Sequence, residues 1–119
     1  DVLAVARIAG IQAAKRAADW IPLAHPLPLD SVDVLLVPDP SEACLRVQVS
    51  VESHWRTGVE MEALVAVSAA GLTVYDMCKA IDRGMSVQNI RLASKTGGKS
   101  GPFVREGEGE FHFGPEGDQ

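Results

Sequence analysis

One uninterrupted stretch, Thr57 to Met85 (TGVEMEALVAVSAAGLTVYDMCKAIDRGM), limits what this chain can build. Met61, Leu64, Val65, Ser68, Leu72, Tyr75 and Lys79 recur in it at helical spacing. Thr57 and Glu60 stand in the Thr-x-x-Glu spacing of a capping box, which predicts that they satisfy orphan backbone N–H groups at the helix start. Lys79 and Arg83 fall in the expected last turns, where a cation suits the helix dipole, and Gly84 is placed for a left-handed cap. The middle, Ala66 to Gly71, is mostly small and lets another backbone come close. A helix apolar on most sides is a buried one. Yet this one carries Glu60, Glu62, Asp76 and Lys79, and charges near a core are costly unless paired or used.

The flanking sequence supplies partners for such a helix. Val2 to Trp20 reads as a first helix, with Val5, Ile8 and Ile11 in its stripe, a Lys15–Asp19 pair, and Pro22 enforcing the stop. Three prolines in IPLAHPLPL, residues 21–29, keep that segment extended, and Pro26 biases His25 away from helical geometry. Residues 32–37, VDVLLV, make a short strand, and Asp39-Pro40-Ser41 is turn chemistry. Ala43, Leu45, Val47, Val49 and Val51 then alternate with Cys44, Arg46, Gln48, Ser50 and Glu52, a strand with one buried and one wet face. The two strands are expected to pair as an antiparallel hairpin. Gln88 to Ser94 reads as a third strand, and 106–119 as a largely disordered acidic tail. The class is α+β, with helices packed on a mainly antiparallel sheet.

Only four residues, Ser53 to Arg56, join the second strand to Thr57, and Trp55 with no Gly or Pro before Gly58 is poor turn chemistry. The expectation is a segment missing from this join, visible as a spacing between successive Cα atoms well above ~3.8 Å.

At 119 residues the chain allows one domain with a real core. A net charge of -5 argues against a nucleic-acid binder. Clustered cations inside an acidic protein, Lys15, Arg16, Lys79, Arg83, Arg91, Lys95 and Lys99, suit a phosphorylated small molecule. Cys44 and Cys78 show no metal or redox spacing, which makes a reducing cytoplasm the default. By inspection no apolar run is long enough for a membrane span.

Four constellations could carry chemistry. Lys95-Thr96-Gly97-Gly98-Lys99-Ser100 ends like a P-loop, but Ala93 stands where that motif needs glycine and Gly101-Pro102 follows instead of a helix. What survives is an anion-binding nest flanked by two lysines, or a plain turn. His25 is a ligand contact or a surface histidine. Glu60 and Glu62 either serve a ligand or merely cap and compensate the helix dipole. Asp76 and Lys79, i,i+3 neighbours, make either a surface ion pair or, as so apolar a helix favours, a partly buried pair tuned for acid/base work.

Five stretches in one frame go further: RIAGIQAAKR (7–16), IPLAHPLPL (21–29), TGVEMEAL (57–64), LTVYDMCKAIDRGM (72–85) and SKTGGKSG (94–101). Together they closely resemble the cyclic pyranopterin monophosphate synthase family of molybdenum cofactor biosynthesis. The resemblance implies a ferredoxin-like α+β sandwich, a cytoplasmic hexamer built as a trimer of dimers, and an active site at a dimer interface. It implies a lyase that converts 3',8-cyclo-7,8-dihydroguanosine 5'-triphosphate to cyclic pyranopterin monophosphate and diphosphate, with no redox cofactor. Asp76 matches the family's catalytic aspartate and Lys79 the lysine sharing its work. Leu23, Ala24, His25, Met61 and Glu62 match substrate contacts; Glu60, Lys15 and Lys95 match further pocket residues. Residues 1–105 are then a single catalytic domain. Ala24 stands where the family has cysteine. The family's catalytic lysine belongs to an upstream Lys-Gly-Asp segment whose aspartate Asp1 matches, so the sequence as given is expected to bind without turnover. The rival readings are a nucleotide- or pterin-binding protein of the same fold without chemistry, and a phosphate-binding structural subunit.

Overall fold

The computed structural model describes residues 1–55 and 57–108. Helix α1, Val2–Lys15, starts at Asp1, whose carboxylate accepts the backbone N–H groups of Leu3 and Ala4 at 3.0 and 3.4 Å. The continuous first helix expected from the sequence is broken: Arg16 leaves helical geometry, and the short α2, Ala17–Trp20, follows.

Strands β1, Ser31–Asp39, and β2, Cys44–Glu52, form the anticipated antiparallel hairpin, with Val34 opposite Val49. Asp39 organises its turn. One carboxylate oxygen accepts the Ser41 hydroxyl at 2.6 Å and the Glu42 N–H at 3.3 Å, and the other meets Arg46 Nε at 3.1 Å. Ala43, read as strand, instead closes the turn in the left-handed region at φ 50°.

Helix α3, Glu60–Cys78, lies beside α1 and against β2. Its small residues do what their size permits. Ala66 and Ala70, with no exposed surface, face Ala6, Gly10 and Val34, so the backbone that comes close is α1 of the same chain. Val65, Ala13 and Ala17 form a second cluster with Ile21 and Ala69. By length and composition α3 also passes for a membrane span, contrary to the sequence reading; here its apolar character serves packing on α1 and β2.

Both predicted helix ends need correction. Val59 is the N-cap and the capping box does not form: the Glu60 carboxylate engages its own N–H and Lys95 instead of the Thr57 backbone. The helix stops at Cys78, before Lys79 and Arg83. Gly84 is not among the left-handed glycines; the Asp82 carboxylate takes its N–H at 2.8 Å and closes the turn.

The third strand is also shorter than expected. Residues 88–93 form no strand, with Asn89 turning in the left-handed region at φ 59°. Only β3, Ser94–Lys95, pairs, with β4, Phe103–Val104, and the Arg105 N–H adds one bond to the Ala93 carbonyl at 2.8 Å. A groove of about 1560 Å³ separates that segment from β2, which leaves it no strand to bond. The chain beyond β4 is held at its start. Arg91 clasps Glu108 through two bonds of 2.6 and 2.7 Å, inside the stretch read as tail; residues 109–119 lie outside the described residues. The join after β2, where a break in spacing is expected, includes Arg56, which also lies outside the described residues. Its first residues are anchored all the same: Ser53 Oγ donates to the Pro28 carbonyl, and His54 Nδ1 meets both Asp30 oxygens within 2.9 Å.

Candidate active site

Charged side chains meet at each end of α3. At its N-terminus Lys95 reaches Glu60, with Nζ 3.2 Å from Oε2, and only 12% of the lysine side chain is exposed. The Glu60 carboxyl is held below the ordinary glutamate range, first by its own backbone N–H and then by Lys95, against the opposing effect of burial. The loop after Lys95 turns on Gly97 and Gly98, at φ 79° and 78°, a region that favours glycine. Ser100 thereby returns to within 3.1 Å of the same ammonium. Gly98 sits so close to Gly58 that a Cβ there would lie 3.3 Å from the Gly58 nitrogen. That contact joins the two glycine-bearing stretches, and sequence patterning gave no sign of it because the partners lie 40 positions apart.

Glu62, in the first turn of the helix, is 5% exposed. Burial, then the nearby charge of Glu60, raises its pKa. A carboxyl whose folded pKa is raised binds more protons folded than unfolded, so its contribution to stability falls as pH rises from the ordinary glutamate range through the raised value. Glu62→Gln keeps the shape without the titration. We expect the variant to melt higher than the parent at neutral pH and to lose that advantage near pH 4. Melting curves across that range check it; parallel profiles would contradict it.

At the other end of α3, Lys79 Nζ contacts Asp76 Oδ1 at 2.7 Å and donates to the Asp76 carbonyl at 2.8 Å. The pair is not the partly buried one anticipated: 77% of the Asp76 side chain is exposed. Leu72 and Met77 beside it are exposed too, because α3 leaves the core over its last turns. Sixteen positions separate Glu60 from Asp76, about 24 Å along a helix axis.

The other candidates stand apart. Leu23 and His25 are exposed, Ala24 is half-buried, and none of them lines the groove beside Glu60 and Lys95. Lys15 is exposed at the end of α1 and Met61 half-buried. One copy of the chain therefore brings together Glu60 and Lys95, and separately Asp76 and Lys79, while Glu62 is buried off the groove that Glu60 and Lys95 line.

The MoaC family model matches residues 1–98. The chain belongs to the MoaC family. Among its relatives, a cyclic pyranopterin monophosphate synthase of Thermomicrobium roseum is 56% identical over 112 residues, covering 94% of this chain and 68% of its own length. The protein of that name from Heliobacterium modesticaldum is 58% identical over 106 residues, with 89% and 67% covered. The one from Rhodospirillum rubrum is 60% identical over 104 residues, with 87% and 63% covered. The matched MoaC segment carries both clusters on α3, from Glu60 to Lys95.

Proposed function

We propose that this chain acts as a cyclic pyranopterin monophosphate synthase, a lyase of molybdenum cofactor biosynthesis. Its substrate is 3',8-cyclo-7,8-dihydroguanosine 5'-triphosphate, and its products are cyclic pyranopterin monophosphate and diphosphate. The observation that carries this reading is the Lys95–Glu60 contact. It joins two of the stretches that bear the family resemblance at the edge of an open groove, where Lys95 is held between Glu60 and Ser100. Closing the cyclic phosphate requires a hydroxyl to lose its proton and diphosphate to leave. Lys95, with the backbone of Gly97 and Gly98, neutralises phosphate charge; Asp76 and Lys79 move protons. Leu23, Ala24, His25, Met61, Glu62 and Lys15 contact the rest of the substrate.

The separation of the clusters on α3 supports a site completed by a second copy, with Asp76 and Lys79 of one subunit facing Lys95 of another. Exposed Leu3, Val5, Ile8, Leu72, Met77 and Ile81 supply apolar surface for such contacts. We assign a cytoplasmic hexamer of three dimers, and sedimentation at micromolar concentration is expected to show it; a monomer there would sink the shared site. The groove beside the free edge of β2 supports a ferredoxin-like sheet, since it leaves room for one more strand.

The decisive experiment incubates the full-length protein with the cyclised GTP derivative. A product that oxidises to a fluorescent pterin, with diphosphate released, is expected. Tight binding without product would favour a nucleotide- or pterin-binding protein instead.

A further inference from the structure

We infer that Ser100 is a positioning residue for Lys95, dividing the ammonium between itself and Glu60 so that the third N–H is held toward the anionic end of the substrate. The inference rests on the function proposed above.

An ammonium has three N–H donors in tetrahedral array. Among the described residues, Glu60 Oε2 at 3.2 Å and Ser100 Oγ at 3.1 Å account for two. Because the side chain is only 12% exposed, water cannot readily supply a replacement for either. Ser100 reaches Lys95 from five residues away because Gly97 and Gly98 reverse the chain, and the close seat of Gly98 against Gly58 fixes where the reversal lies. The position of the hydroxyl is thus tied to the start of α3, the same element that presents Glu60. Without the hydroxyl, the ammonium has one acceptor left and closes fully onto the Glu60 carboxylate. A cation neutralised by its own carboxylate binds an incoming phosphate less well. Ser100 is itself exposed and forms no part of the hydrophobic core, which separates its role from stability.

The test compares full-length wild type, Ser100→Ala and Ser100→Thr. Ser100→Ala is expected to raise KM on the order of tenfold while kcat changes less than ~3-fold, the pattern of lost binding and not of lost chemistry. Ser100→Thr, which keeps the hydroxyl, is expected to restore KM. Inorganic triphosphate, titrated calorimetrically in the absence of turnover, should bind the alanine variant more weakly by a similar factor and the threonine variant as the wild type. Unchanged KM and unchanged triphosphate affinity in Ser100→Ala would overturn the assignment. So would a wild type that does not bind triphosphate, or a loss that follows melting temperature and is not rescued by threonine. Absence of turnover in the wild type would sink the proposed reaction, while the triphosphate comparison would still decide the role of Ser100.

Discussion

Asp76→Asn is expected to lower turnover of the full-length protein by on the order of 10³-fold, with the fold intact. The carboxamide keeps the size of the side chain and an oxygen for the Lys79 ammonium at 2.7 Å, but cannot take a proton from a substrate hydroxyl. The exposure of the pair makes the test clean. An ion pair this open to water is worth well under ~1 kcal/mol, so the melting temperature should move by only a few degrees. Lys79→Met removes the partner and should likewise spare the fold. Fluorescence of the oxidised product and thermal melts, read on the same preparations, decide the matter. Activity and stability falling together would make Asp76 a structural residue, and unchanged turnover would remove it from the chemistry.

The different fates of the sequence-based expectations follow from the range of the interactions involved. The hairpin was legible because β1 and β2 lie five residues apart and their alternation is local. The central helix was legible because its periodicity survives any environment. Its N-terminus was not, since Thr57 and Glu60 offer a local cap that must compete with Lys95, whose approach depends on tertiary structure. Residues 88–93 have the composition of a strand, but a strand exists only beside another, and no pattern within 88–93 reveals whether one is there. Average hydrophobicity misled at Asp76. Up to Ala70, α3 buries Glu62, Val65, Ala66 and Ala70; beyond it, Leu72, Asp76 and Met77 are exposed, and a mean over the whole helix conceals the change. Spacing gave no sign that Lys95 meets Glu60; family resemblance alone named both as pocket residues. Spacing alone left the glycine loop open between an anion nest and a turn.

Gly10→Leu is expected to cost about 3 kcal/mol of stability, the largest effect of a single substitution outside the site. Gly10 lies where α1 presses on α3 and the hairpin. A Cβ built there would meet Val34 Cγ2 at 3.1 Å, the Ala66 carbonyl oxygen at 3.3 Å and Ala70 Cβ at 3.6 Å. The first neighbour is a side chain that can turn. The second is backbone in the middle of a helix, and can yield only if α1 and α3 separate. A leucine side chain would force that separation along a seam of Ala6, Ala13, Ala66 and Ala70, whose small side chains cannot fill the space opened elsewhere. For a domain of this size the loss corresponds to a melting temperature lower by roughly 12–20 °C. Gly10→Ala isolates the contribution of contact distance. Alanine gains up to ~1 kcal/mol of helix propensity over glycine and needs the neighbours to give by only a few tenths of an ångström. The two effects nearly cancel, so this variant should stay within about 1 kcal/mol of the parent. Urea and thermal denaturation of both variants measure the difference. A leucine variant as stable as the parent would mean that α1 can slide away from α3 at little cost, and that the small-residue seam does not fix the spacing of the two helices.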